Sequence, residues 1–134
     1  MKSGTQRPLS PHLQIYRPTI TMTMSILHRL TGVALYVGTL VVAWSLVAIA
    51  WGPLAYGRFE AFIVSPLGWA VLLGYTWAFI HHLLGGLRHL LLDAGLGFDL
   101  RSADILARAN LFGSVGLTGL IWIAPHVVQI GVRP

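Results

Sequence analysis

From Leu30 to Trp51 the chain runs for 22 residues without a charged side chain. About 20 consecutive apolar residues are what an α-helix needs to cross the hydrocarbon layer of a bilayer. In lipid every backbone N–H and C=O must be satisfied within the spanning element, so such a run is a helix or part of a closed barrel. Barrel strands are short and alternate apolar with polar residues, whereas this run is continuous, and that selects the helix. The whole chain agrees: 55% of its 134 residues are hydrophobic and only 10% are charged. A soluble domain is about one-quarter charged. The expected fold is therefore an all-α membrane protein.

Two further spans follow. Pro66 opens the second, where a proline is tolerated in the first turn of a helix, and Asp93-Ala94-Gly95-Leu96-Gly97 ends it with glycines that offer a stop. The third is expected from about Ala109 to Ile130, with Pro125 as a potential kink. The reading is a single anchor domain, 1–134, with an extended arm over 1–20 and spans over 21–51, 66–92 and 109–131. Gly52–Ser65 and Asp93–Arg108 read as connectors. The arm, Arg7-Pro8-Leu9-Ser10-Pro11-His12-Leu13-Gln14-Ile15-Tyr16-Arg17-Pro18, is held extended by its prolines. It lacks the apolar core and small-residue cleavage site of a secretory signal, so the first span reads as an uncleaved insertion signal.

Charge sets orientation. Three spans put the termini on opposite sides, with Lys2, Arg7, Arg17, Arg101 and Arg108 on the first side and only Arg58 and Arg133 on the other. The positive-inside rule then places the N-terminus on the cytoplasmic side, or the matrix side of a mitochondrial inner membrane. The net charge of +5 is spread along the flanks of the spans, which suits orientation and anionic headgroups rather than nucleic acid. The absence of cysteine excludes disulfides, covalent haem attachment and cysteine-held iron–sulfur clusters on this chain.

Ionisable residues at bilayer depth are costly and mark function. His82 lies within His81-His82-Leu83-Leu84-Gly85-Gly86-Leu87-Arg88-His89-Leu90-Leu91-Leu92-Asp93. At 1.5 Å per residue it is roughly 16 Å from Asp93, near mid-membrane, and about 10.5 Å from His89. His82, Gly85, Gly86 and His89 share one helix face, and the glycines leave room for the edge of a flat cofactor, with haem the leading candidate. Glycine pairs in membrane helices also serve helix packing, and helical spacing does not choose between His81 and His82. Asp93 stands four residues beyond His89, close enough to orient its ring, and Arg88 reaches the same interface. In the first span, Ser25, His28 and Arg29 come together at spacings of three and four. A serine hydroxyl and an arginine there suit the oxygens of a quinone, the arginine stabilising the charge that reduction creates. The plainer reading is an interfacial anchor with Arg29 snorkelling to headgroups.

Taken together, Arg7–Tyr16, Ser25-Ile26-Leu27-His28-Arg29-Leu30-Thr31-Gly32 and His82–Asp93 resemble the family of succinate dehydrogenase cytochrome b subunits, the larger membrane anchors (C subunits) of respiratory complex II. The resemblance covers essentially the whole chain. It implies half of a two-subunit anchor bundle that holds one haem b. His82 is implied as one axial ligand, the second histidine coming from the smaller D subunit. His28, Arg29 and His89 are implied on the haem propionate side, and Ser25 and Arg29 at a site for ubiquinone. Implied partners are the D subunit, the iron–sulfur subunit, against which the Pro8–Tyr16 arm docks, and the flavoprotein that oxidises succinate. His126, towards the far interface, is a poor alternative ligand by depth. Gly85 stands where the family carries a bulkier residue. Two rival readings are a haem-free structural anchor of a fumarate reductase-type complex and a small proton-relay or transport subunit.

Overall fold

The computed structural model describes residues 16–132, with side chains as far as Pro125. Four helices lie among the described residues: α1 (Ile20–Ala50), α2 (Pro53–Ile63), α3 (Pro66–Asp93) and α4 (Leu100–Val132). Ile20–Ala50, Pro66–Asp93 and Leu100–Pro125 are each long and apolar enough to cross a membrane. The arm expected over 1–20 falls largely outside the described residues. Of its last five residues, Thr19 is extended and caps α1 by accepting from the Met22 N–H.

The segment read as the first connector is instead mostly helix α2. Arg58 and Glu60 interrupt the apolar pattern there, but the signals at its ends are strong. Gly52 takes a φ of 98°, a left-handed turn open to glycine, and Pro53 starts the helix. At 11 residues α2 is about 16 Å long, too short to span. It folds back on the end of α1, where Trp44 meets Phe59 edge-on at 5.1 Å and Phe62 at 5.2 Å. The turn into α3 is tight: the Ser65 hydroxyl oxygen accepts the Gly68 N–H at 3.1 Å, and a Cβ at Gly68 would strike the backbone of Phe62 and Ile63.

The second connector is also shorter than expected. Helix α4 begins at Leu100 rather than near Ala109 and continues through Pro125. Its charged first turns are stabilised locally: the Asp99 carboxylate accepts the Ser102 N–H at 2.9 Å, and Arg108 pairs with Asp104 at 2.8 Å. Charges that mark a loop by composition here cap and lace a helix.

Helix α3 packs between α1 and α4. The outside is apolar, with Tyr36, Leu40 and Trp51 all at least 70% exposed. The inside is small and partly polar: Thr31, His81, Asn110, Ser114 and Thr118 are buried beside Ala48, Ala78 and Ala107. Lipid offers no hydrophobic drive between helices, so close approach of small residues and interhelical hydrogen bonds hold such a bundle together.

Candidate functional site

The site forms where α1 and α3 approach. A Cβ at Gly32 would stand 3.0 Å from His82 Cε1, and one at Gly85 would overlap the His28 ring. These two glycines admit the imidazoles of the opposite helix. As a result the His28 and His82 rings stack with centroids 4.0 Å apart and planes 11° from parallel. His89 meets His28 edge-on at 5.1 Å.

Hydrogen bonding fixes the tautomer of His82. Its Nδ1 lies 3.0 Å from the backbone carbonyl oxygen of His28. A carbonyl only accepts, so Nδ1 carries the hydrogen and Nε2 carries the lone pair. In its neutral form His82 therefore offers Nε2 as a nitrogen donor with its other ring nitrogen secured, the arrangement usual for metal-ligating histidines. The described residues contain no group of three histidines, cysteines or carboxylates able to hold a bare metal ion. The stacked pair offers ring faces and a single oriented lone pair rather than a closed coordination shell.

His81 points elsewhere. It is fully buried against α4, with Nδ1 3.1 Å from Ser114 Oγ, and Trp77 tilts over it at 5.2 Å. The two neighbours that spacing could not separate therefore face different helices. Ser114 also donates to the Leu111 carbonyl at 2.9 Å, and Thr118 to the Ser114 carbonyl at 2.7 Å. Asn110, Ser114 and Thr118 recur every four residues along α4, a polar stripe in an apolar span that the sequence displays and that marks the face turned inward.

Two expectations for α3 are corrected. Gly85 does not leave its space open, because the His28 ring occupies it; Gly86 is the one with nothing within 4 Å of a Cβ. Asp93 does not orient His89: among the described residues no hydrogen bond or ion pair joins them, and the His89 ring turns to His28 instead. Ser25 is half-buried and Arg29 exposed, one turn apart on α1, and neither is hydrogen-bonded to the other. The Nε of Arg88 and the Nε2 of His28 are buried without a partner among the described residues. A buried donor left unpaired costs about 1–3 kcal/mol, so this end of the site is suited to an acceptor from outside the chain, such as a carboxylate.

Residues 3–128 match the family described as succinate dehydrogenase/fumarate reductase transmembrane subunit. The chain is 44% identical over 117 residues to the succinate dehydrogenase cytochrome b556 subunit of Paracoccus denitrificans, covering 87% of this chain and 90% of that one. It is 37% identical over 118 residues to the cytochrome b556 subunit of Rickettsia conorii, covering 88% and 92%. It is 34% identical over 129 residues to the mitochondrial cytochrome b560 subunit of Sus scrofa, covering 87% and 73%.

Proposed function

Since the chain belongs to the succinate dehydrogenase/fumarate reductase transmembrane subunit family, we propose that it is an integral membrane anchor that binds haem b through His82 and helps pass electrons from an iron–sulfur partner to ubiquinone. The observation that carries this reading is the bond from His82 Nδ1 to the His28 carbonyl, which leaves Nε2 as an oriented ligand. Three features support the fit of a haem. Gly86 leaves the neighbouring surface flat, the buried Nε of Arg88 and Nε2 of His28 await acceptors such as propionates, and His89 adds a third imidazole at that end. The deep burial of His81 against Ser114 favours His82 as the ligand from this subunit. A further ligand to the haem would come from the smaller anchor subunit.

When bound, haem b supplies a one-electron centre in the membrane. The residues of this chain do the holding: His82 orients the ligand nitrogen, and His28 fixes the tautomer through its carbonyl. Arg29, His28 and His89 carry positive or hydrogen-bonding groups to the propionate side. Ser25 donates a hydrogen bond to a quinone oxygen, and exposed Arg29 stabilises the charge on the reduced form. Oxidation of succinate takes place on the flavoprotein, which reaches the anchor through the iron–sulfur subunit, with the N-terminus on the cytoplasmic or matrix side. The test is the reduced-minus-oxidised spectrum of the purified complex. His82→Ala should abolish the haem b band while His81→Asn retains it; a full band in the His82→Ala complex overturns the reading.

A further inference from the structure

Thr31 stands at the centre of the α1–α3 contact and is only 3% exposed. Its Oγ1 lies 2.9 Å from the Leu27 carbonyl oxygen, 3.0 Å from that of His28 and 3.4 Å from His82 Nδ1. Threonines and serines in apolar helices commonly return their hydroxyl to a carbonyl one turn back. Thr39, Ser45 and Thr76 do so here at 2.6, 2.6 and 2.8 Å, and none of the three bonds to another helix. Thr31 alone of these also reaches a ring nitrogen of the facing helix.

The hydroxyl has one hydrogen and two lone pairs. Its shortest acceptor is the Leu27 carbonyl, one turn back, and donation there leaves a lone pair for the N–H of His82. The His28 carbonyl at 3.0 Å is then the primary acceptor of that N–H and Thr31 Oγ1 at 3.4 Å the second. Gly32 holds the arrangement from the next position, since any side chain there would press on the edge of the ring at Cε1.

We propose that Thr31 is a positioning residue that tunes the haem through His82, by sharing the Nδ1 hydrogen of the axial histidine with the His28 carbonyl. This rests on the reading that His82 ligates the haem. Two acceptors on one N–H draw the imidazole towards imidazolate and make Nε2 a stronger donor. A stronger axial donor favours the ferric state, so Thr31 lowers the midpoint potential, one of the levers by which a protein sets a haem.

The experiment is a redox titration of the haem in the purified complex, followed by its optical spectrum. Thr31→Val keeps the shape and removes the hydroxyl, Thr31→Ala removes it without adding bulk, and Thr31→Ser retains it. Valine and alanine should both shift the midpoint potential upward at unchanged haem content, and serine should restore the original value. A wild-type potential in the valine or alanine complex, or an equal shift with serine, overturns the inference. His82→Ala run alongside separates the two claims. Retention of the haem band there refutes the ligand assignment, whereas loss of the band with an unmoved potential in Thr31→Val refutes only the role of Thr31.

Discussion

Adding a single methyl group at Gly85 tests whether the His28 ring is seated as described. A Cβ there would overlap His28 Cδ2 and approach Nε2 to 3.2 Å and Cγ to 3.3 Å. The ring is already face to face with His82 at 4.0 Å and edge-on to His89 at 5.1 Å, so it must rotate rather than slide. An off-rotamer side chain costs about 0.5–1.5 kcal/mol. Loss of a stacked pair costs about as much, about 0.5–1.5 kcal/mol if the imidazoles behave like other aromatic rings. Together they reach about 1–3 kcal/mol, the range of overpacked cores. Helix propensity opposes this, because alanine gains about 0.5–1 kcal/mol over glycine inside a helix. Gly116→Ala measures that gain alone, since nothing lies within 4 Å of a Cβ there. The assay is thermal loss of the assembled complex in detergent. Gly85→Ala should be less stable than Gly116→Ala by the full clash, and His28→Ala in the same chain should cancel the difference. The haem band before heating should persist, because His82 bonds the backbone of His28 and not its ring. Equal stability of Gly85→Ala and Gly116→Ala would refute the seating of His28.

Two more predictions concern α4. Ser114→Ala removes the partner of His81 Nδ1 and leaves a buried donor unpaired, so the complex should lose about 1–3 kcal/mol in a denaturant titration while its haem content, read from the optical band, stays unchanged. At the start of the helix, the Ser102 backbone N–H holds the Asp99 carboxyl below the usual carboxylate range. A carboxyl lowered by folding stabilises fully above its unfolded pKa and loses that contribution as pH falls through the lowered value. Hydrogen exchange at Ser102 should therefore quicken, relative to the intrinsic rate, at the acid end in the native chain, and Asp99→Ala should show the faster rate at every pH.

The span of α1 is legible because 22 uncharged residues admit almost no other structure in lipid. The extent of α4 is not, because Asp99, Arg101, Asp104 and Arg108 look like a loop until Asp99 is seen to cap and Asp104 to pair. Helix α2 escapes for a similar reason: Arg58 and Glu60 break its apolar pattern, while its stability comes from Trp44 on another helix. At the site, helical spacing brings His82 and His89 to one face and Ser25, His28 and Arg29 to another. It carries no information on which faces meet. That Gly85 receives His28, and that Thr31 reaches His82, depends on the approach of two helices that brings together residues 51 positions apart in the chain.

The two adjacent histidines show why fold and site are one question here. A helix turns about 100° per residue, so His81 and His82 necessarily look in different directions. With α3 between α1 and α4, one direction meets Ser114 and the other the carbonyl of His28. Each contact alone satisfies one ring nitrogen; both together fix the rotation of α3 about its axis. Rotating α3 by one residue step would carry each ring off its partner and strand two imidazoles in a medium that offers no water. The buried histidine that ligates nothing in the proposed site therefore helps decide which histidine faces α1, the side proposed for the haem. Ser114→Ala should loosen that rotation, and a broadened haem signal in electron paramagnetic resonance at unchanged haem content would report it. A line as narrow as the wild type's would show that α1 alone sets the angle, through Gly32, Gly85 and the His28 carbonyl.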